Sequence, residues 1–230
     1  MSKSNLGLVT HCKTAVKEKW GYVYGTYGEI LTASILNQKI KQYQFQVKKY
    51  EDFIRQNWLG KRTVDCVGLI KSYIWWNENA PSYQIATDKS ANNMYNIAKE
   101  KGIISTLPEL PGICVWRTSH IGVYIGDGQV IESKGTKYGV VQTPLTGKGA
   151  NTWTHWLKCP YIEYIEKESS NTFSDVKNDR WSYESIEKAA KLGLVQGNPD
   201  GTFNLTRYLT REQAAVIAVR IYEKIMEVIK

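Results

Sequence analysis

The sequence predicts an α+β fold followed by a small all-helical module at the C-terminal end. Apolar residues recur at helical spacing through most of the first hundred residues. From Pro111 the spacing changes to the period of two that is typical of strands, and short polar turns separate the runs. Helices followed by an antiparallel sheet define the α+β arrangement. The first domain is expected to span 1–165, and a polar linker is expected at 166–172, beyond which two further helical patterns complete the 230 residues.

The first hundred residues contain the predicted helices. One is expected over 5–20, where apolar side chains recur every four residues at Leu8, Cys12, Val16 and Trp20. Residues 29–58 contain neither proline nor glycine, which predicts one or two more helices. A helix is expected over 66–76, and Asp65 is suited to cap it. The last is expected over 91–101, with Ser90 as its N-cap and Gly102 as its C-cap.

Five short runs rich in β-branched and aromatic residues predict the strands of one antiparallel sheet. They cover residues 113–116, 121–125, 129–132, 138–141 and 161–165. The Gly126-Asp127-Gly128 turn between the second and third runs has the residue types of a tight hairpin. The C-terminal module is predicted as two helices, 182–192 and 210–229, joined by a loop rich in Gly, Asn, Pro and Asp.

Charge divides the chain into two parts. Residues 1–165 contain 20 Lys and Arg against 12 Asp and Glu, whereas residues 166–230 contain 10 of each. A basic surface attracts polyanions, among them nucleic acid and an anionic bacterial wall. The sequence has no compact cationic cluster with exposed aromatics and no zinc-finger or RNA-binding signature, so no nucleic-acid partner is predicted. The 8 Trp and 15 Tyr suit polar ligands such as sugars, although core packing is the simpler explanation.

The cysteines and the N-terminus bear on compartment and cofactors. Cys12, Cys66, Cys114 and Cys159 are scattered without the spacing of a zinc site or a disulfide framework, so neither a metal nor another cofactor is predicted. The N-terminus has no apolar run typical of a signal peptide, and no stretch approaches the ~18 apolar residues of a membrane span. The chain is therefore expected to be made in the cytoplasm and to be reduced there.

One cysteine and one histidine lie in contexts that suggest a nucleophile and its base. Cys66 is predicted at the start of a helix, and His120 at the head of a strand. A helix N-terminus favours negative charge and an imidazole can accept a proton, so the thiolate is expected to be populated near neutral pH. The alternatives are a Cys66 that is only a small buried hydrophobe and a His120 that is structural.

Three sequence blocks resemble the NlpC-type cell-wall cysteine peptidases, in the expected order, over about residues 8–165. The blocks are Gly21-Tyr22-Val23-Tyr24-Gly25, Asp65-Cys66-Val67-Gly68-Leu69-Ile70 and His120-Ile121-Gly122-Val123-Tyr124-Ile125-Gly126. The resemblance implies a papain-like fold in which Cys66 is the nucleophile and His120 the general base. It also implies a polar residue on the next strand that orients the imidazole, and that position falls at Glu132. Tyr22 matches the family tyrosine that binds substrate or the oxyanion.

Two positions depart from the family pattern, and two assignments stay open. Val67 replaces the usual Ser and Ser119 the usual Gly, which could reshape the specificity pocket. Glu132 could instead be an exposed strand residue. His155 is a less favoured alternative for orienting the imidazole.

The C-terminal third resembles one S-layer homology repeat over about 173–226, within a module expected to span 173–230. The matching features are Phe173-Ser174-Asp175-Val176, Gly197-Asn198-Pro199-Asp200-Gly201 and Leu209-Thr210-Arg211-Glu212. The resemblance implies binding to acidic, pyruvate-bearing wall polysaccharide through Arg211, Asp200 and Gly201. An internal ion pair is the alternative role of Arg211. Because such repeats usually occur in threes, a homotrimer is expected.

Together the two resemblances imply a peptidoglycan hydrolase of the endolysin type. It would cut a stem-peptide amide beside γ-D-glutamate through a thioester intermediate, and a holin would release it to the wall. An N-acetylmuramoyl-L-alanine amidase and an inactive wall-binding protein are the alternatives.

Overall fold

The computed structural model describes residues 3–165, 172–177 and 180–229. The chain separates into two compact units, Met1–Glu166 and Lys167–Lys230. The polar stretch predicted as a linker lies outside the described residues, apart from Thr172. Among the helices in the described ranges, none combines the length and apolar character needed to cross a bilayer.

The first unit contains six helices and ten strands among its described residues, connected by turns and single 3₁₀ turns. In chain order they are α1 (Asn5–Lys17), β1 (Tyr27–Ile30), α2 (Ala33–Gln42), α3 (Gln44–Val47), α4 (Glu51–Asn57), β2 (Arg62–Val64), α5 (Gly68–Trp75), β3 (Trp76–Asn77), β4 (Ala80–Pro81), α6 (Ala91–Ile97), β5 (Lys101–Ile103), β6 (Cys114–Arg117), β7 (His120–Gly126), β8 (Gln129–Gly135), β9 (Gly139–Pro144) and β10 (His155–Leu157). The α+β prediction is confirmed.

A six-stranded antiparallel sheet forms the frame of this unit. Its strand order is β5-β10-β6-β7-β8-β9, so the middle strands follow one another along the chain as hairpins. Side chains alternate between its faces, as the period of two requires. One face packs against α1 and α5 in the main core, which includes Leu8, Leu69 and Ile121. The opposite face carries a smaller cluster around Val115 and Trp153.

Three predictions for the helical part of this unit are wrong. The first helix ends at Lys17, because Lys19 adopts a left-handed φ of 55° and turns the chain before Trp20. Residues 29–58 break into the end of β1 and three short helices around a separate core that contains Leu36 and Ile54. Gly102 does not cap a helix: it lies in β5 opposite Trp156 of β10.

The last predicted strand, 161–165, is also wrong. Only Glu163 of that stretch forms a bridge, with Ser4, and the strand that completes the sheet is β10 instead. Strand β10 fills the space between β5 and β6 and pairs with both. Which apolar run becomes a strand depends here on the available edge of the sheet, because a strand needs partners for its backbone groups.

The second unit contains the two predicted helices, α7 (Tyr183–Lys191) and α8 (Arg211–Ile229). Thr210 caps α8: its hydroxyl accepts from the Gln213 amide at 3.2 Å, and the Gln213 side chain accepts from the Thr210 amide at 3.0 Å. This reciprocal pair is a capping box. The loop before α8 is held by Asp175, whose carboxylate accepts hydrogen bonds from the amides of Phe203 and Asn204.

His11 on α1 gives the first unit a defined sensitivity to acid. Its Nε2 lies 2.7 Å from the Ser72 hydroxyl, and its ring packs edge-on against Trp20. Burial, together with the positive charges of Lys3 and Arg62, lowers the pKa of His11 from 6.5 to about 4. The unfolded chain therefore takes up a proton at higher pH than the folded one.

We predict that the folded protein loses about 3 kcal/mol of unfolding free energy at His11 as the pH falls from 6.5 to 4, and none above 6.5. A His11→Gln variant should lack this loss, since it has no group that titrates in this window. Urea unfolding of both proteins between pH 4 and 8 measures the difference. Parallel stability profiles for the two proteins would contradict the prediction.

Candidate active site

Cys66 lies in the tight turn between β2 and α5. The Asp65 carboxylate holds that turn, because it accepts hydrogen bonds from the amides of Gly68 at 2.6 Å and Gly25 at 2.9 Å. A side chain at position 68 would place its Cβ 2.1 Å from the Thr26 carbonyl oxygen, so only glycine fits there. Helix α5 begins at Gly68, two residues later than predicted, and Cys66 precedes its first turn.

The Cys66 sulfur faces the backbone on both sides of His120. Its Sγ lies 3.9 Å from the Ser119 carbonyl oxygen, to which the thiol donates, and it also interacts with the amides of Val67 and Ile121. Only 8% of Cys66 is exposed. The fold therefore brings together the two residues that the sequence pairs across 53 intervening positions.

The expectation of a thiolate at neutral pH is wrong for this closed site. Burial first, and then the negative charge of Asp65, raises the pKa of the Cys66 thiol to about 12, whereas the Val67 and Ile121 amides lower it only in part. Loss of hydration outweighs the favourable amide dipoles, since a buried anion has few other sources of stabilisation. Cys66 is therefore a neutral thiol in this site.

His120 is bound to a fully buried carboxylate. Its Nε2 lies 2.7 Å from Oε2 of Glu132 on the neighbouring strand β8. Glu132 also accepts hydrogen bonds from Thr143 at 3.0 Å and Asn151 at 2.9 Å. Burial raises the pKa of Glu132, but these three hydrogen bonds outweigh it and leave the pKa below its ordinary value. An ionised carboxylate thus fixes the imidazole.

Trp153 holds the other side of the imidazole. The two rings stack with centroids 5.4 Å apart and planes 11° apart. Arg117 steadies the same loop, because its Nε donates to Asn151 at 2.8 Å. Sequence reasoning missed Trp153, Asn151 and Thr143. Of these three, only Thr143 could have been predicted from the sequence. Val141 pairs with Glu132 across the sheet, and Thr143, two residues further along the strand, lies on the same face.

His155 lies in a different cluster. Its ring packs against Tyr95 and Trp116 at centroid distances of 5.3 and 5.7 Å, and its Nδ1 lies 3.0 Å from the Thr154 hydroxyl. Among the described residues, the hydrogen-bond partners of Glu132 do not include His155. The geometry therefore favours Glu132 as the residue that orients His120.

Tyr22 lies beside the nucleophile with its hydroxyl protonated. Burial, followed by the charges of Cys66 and Asp65, raises its pKa well above the ordinary value. A phenol that keeps its proton can donate a hydrogen bond. Ser119 has a φ of 64°, which lies in the left-handed region where glycine is the usual residue. Val67 is buried in the main core.

The predicted wall-binding residues lie on exposed parts of the second unit. Arg211 is exposed at the first position of α8 and forms no salt bridge with any residue in the described ranges. Asp200 accepts from the Thr202 amide at 2.9 Å and from its hydroxyl at 2.6 Å. Gly201 has a φ of 80°, which explains the glycine in this loop.

Comparison with known sequences identifies the C-terminal module. Residues 172–215 match the model of the family described as the S-layer homology domain, which confirms that prediction. The outer membrane protein SlpA of Thermus thermophilus is 43% identical over 58 residues, or 25% of this chain and 6% of that protein. The cellulosome-anchoring protein of Acetivibrio thermocellus is 36% identical over 59 residues, or 26% of this chain and 13% of that protein. The chain thus spans a small part of these relatives.

Two solved structures align with 70% of the chain. The peptidoglycan hydrolase RipB of Mycobacterium tuberculosis aligns over 67% of its own length, with a TM-score of 0.36 and 15% identity. The P60 domain of an antigen from M. avium subspecies paratuberculosis aligns over 98% of its length, with a TM-score of 0.36 and 16% identity. Alignments at this level assign neither a family nor an activity to the chain.

We predict that iodoacetamide alkylates Cys66 before Cys12, Cys114 and Cys159, because Cys66 is 8% exposed whereas the other three are at most 2% exposed. Glu132→Gln should slow the reaction at Cys66 at least tenfold, because the imidazole loses the charge that stabilises its protonated form. Peptide mass spectrometry measures the rate at each cysteine.

His155→Gln is the control, since it removes the other residue considered for orienting His120 and lies outside the Glu132 network. It should leave the rate at Cys66 unchanged. Equal slowing by both substitutions would contradict the assignment of Glu132.

Proposed function

We propose that the first unit is a cysteine peptidase that hydrolyses an amide bond in the peptide stems of peptidoglycan. The observation that carries the proposal is the position of the Cys66 sulfur against the His120 backbone, with His120 held by the ionised Glu132. The three sequence blocks of the NlpC-type peptidases contain Cys66, His120 and Tyr22. The amide beside γ-D-glutamate is the bond that this resemblance implies.

The chemistry follows from which ring nitrogen is engaged. Glu132 accepts the proton on Nε2 of His120, so Nδ1 is the nitrogen that takes the proton from the Cys66 thiol as the sulfur attacks the carbonyl carbon. Substrate binding expels water and lets the imidazolium form beside the thiolate. Glu132 then stabilises this imidazolium as a buried counter-ion.

Two donors are available for the oxyanion of the tetrahedral intermediate. They are the backbone amide of Cys66 and the hydroxyl of Tyr22, whose raised pKa keeps its proton in place. The imidazolium then protonates the leaving amine, and the C–N bond breaks to give a thioester at Cys66. Water, deprotonated by His120, hydrolyses the thioester and restores the thiol.

The second unit would keep the enzyme on its substrate. Its match to the S-layer homology family and the exposed guanidinium of Arg211 support binding to a carboxylate-bearing wall polysaccharide. Asp200 and Gly201 would shape the adjoining loop rather than supply charge to the ligand. An endolysin role fits both activities, because lysis requires a hydrolase that is retained on the wall.

We predict that the protein clears suspensions of purified Gram-positive walls and that Cys66→Ser lowers the rate by at least ~10³-fold, since the serine hydroxyl is a far weaker nucleophile here. Turbidity measures clearing. Mass spectrometry of the products identifies the bond: shortened stems mean an endopeptidase, and free glycan strands mean an amidase. Equal clearing by both proteins would overturn the assignment of Cys66.

Sedimentation with the same walls separates binding from hydrolysis. Cys66→Ser should sediment with the walls as the unaltered protein does, whereas Arg211→Gln should sediment less. Sedimentation without clearing by the unaltered protein would instead support a wall-binding protein without activity.

We also propose that three chains associate through their second units. Helix α8 exposes an apolar stripe in which Val219, Tyr222, Ile225 and Met226 recur at spacings of three and four residues and are 37–64% exposed. A single repeat leaves this stripe uncovered. Copies of the same stripe would cover one another in a closed ring.

Light scattering should therefore give a mass about three times 26.3 kDa at micromolar concentration. Val219→Asp should dissociate the assembly, because it places a charge within the stripe. Glu223→Gln, a change at an exposed polar position of the same helix, is the control. A monomer at working concentration would contradict the trimer.

A further inference from the structure

Two cavities on the first unit contain cations that the catalytic site does not use. Both are bordered by Trp20, and neither is lined by Cys66, His120, Glu132 or Tyr22. Their volumes are about 470 and 320 Å³, which lie in the range of small-ligand sites. We refer to them as the Arg62 cavity and the Lys61 cavity, after the consecutive residues that supply a cation to each.

The Arg62 cavity holds its guanidinium in a fixed position without a carboxylate. Arg62 lies over the rings of Trp76 and Trp20 at 4.8 and 5.8 Å from their centroids. Two of its N–H groups donate to the carbonyls of Gly28 and Asn79, both at 2.8 Å. Since a guanidinium has five N–H groups, three are left for other acceptors.

Lys3 is the second cation of this cavity. Its ammonium donates to the Trp76 carbonyl at 2.9 Å and lies 5.0 Å from the centroid of Tyr73. Neither Lys3 nor Arg62 forms a salt bridge with any residue that the structure describes. One carboxylate, Glu18, lines the cavity, and it is engaged by the Trp20 indole N–H at 2.7 Å.

The Lys61 cavity repeats this arrangement on the other side of Trp20. The Lys61 ammonium lies 5.1 Å from the Trp58 centroid, and Lys19 is a further cation on the wall. No carboxylate is found among the residues that line it. The ring of Tyr138 at its edge is 63% exposed. Positive charge at four positions, Lys3, Arg62, Lys19 and Lys61, favours an anionic ligand.

The remaining lining groups indicate what kind of anion fits. Thr10, Thr14 and Asn79 in the Arg62 cavity, and Asn57 in the Lys61 cavity, offer hydrogen-bonding groups suited to hydroxyls. A single-stranded nucleic acid would need open aromatic faces on which bases stack. Tyr138 offers one such face, whereas Trp20 and Trp58, which are 3% and 9% exposed, offer none, so a row of stacked bases has no platform here.

We propose that the Arg62 and Lys61 cavities together form a binding site for an acidic polysaccharide chain, distinct from both the catalytic site and the second unit. Lys3, Arg62, Lys19 and Lys61 would pair with the carboxylates of the chain. The Tyr138 ring would pack on a sugar face. An acidic ligand at this site would account for the excess positive charge of residues 1–165. The proposal does not depend on whether Cys66 is catalytic.

The test uses the full chain with Cys66→Ser and Arg211→Gln, which remove the proposed nucleophile and the proposed carboxylate contact of the second unit. Isothermal titration calorimetry measures the affinity of this protein for a decameric oligogalacturonate. Arg62→Gln and Lys61→Gln should each weaken binding at least tenfold. Lys148→Gln, at an exposed lysine that lines neither cavity, should change it less than twofold.

Three further probes complete the test: neutral maltodecaose, poly-L-glutamate and a decameric oligothymidylate. The proposal requires oligogalacturonate to bind more tightly than all three. Equal weakening by Lys148→Gln would mean that binding depends only on net charge. Tighter binding of the oligonucleotide or the polyglutamate, or no binding of oligogalacturonate to the protein with Cys66→Ser and Arg211→Gln, would each overturn the proposal. Circular dichroism checks that every variant is folded.

Discussion

The buried carboxylate of Glu132 is the constraint on which the catalytic site depends. A fully buried charge is stable only if its oxygens are hydrogen-bonded, and removing one partner of such a group costs about 3–5 kcal/mol. The fold meets this requirement with His120 from β7, Thr143 from β9 and Asn151 from the following loop. These hydrogen bonds stabilise the buried charge of Glu132. Through the bond to His120 they also set the tautomer and the plane of the imidazole.

The nucleophile is controlled by a second buried carboxylate with the opposite effect. Asp65 ties the Cys66 turn to Gly25 and Gly68, and its charge, after burial, helps to hold the thiol in its neutral form. The site thus separates two tasks. Asp65 fixes where the sulfur lies, and Glu132 fixes the His120 imidazole. A thiol that is neutral at rest is also protected from oxidation, because the thiolate is the reactive species.

The two units differ in charge. Residues 166–230 are neutral overall and present an exposed arginine and an apolar stripe on α8. Residues 1–165 have the net positive charge, and in the two cavities beside Trp20 aromatic rings or carbonyls hold Lys3, Arg62 and Lys61. Cations fixed in this way lose little conformational freedom on binding an anion, which favours affinity for a polymer with regularly placed charges.

Local patterns were enough to predict the α+β class, the four central strands and both C-terminal helices, because these features repeat at short range and so depend on the sequence by itself. The family resemblance, rather than a periodic pattern, singled out Cys66, His120 and Glu132. Tertiary structure decided the rest. Strand β10 formed at 155–157 rather than 161–165 because that segment reaches the free edges of β5 and β6. Trp153 and Asn151 reached His120 through the fold of a loop, and the thiol stayed neutral because burial, which no local pattern contains, outweighs the amide dipoles.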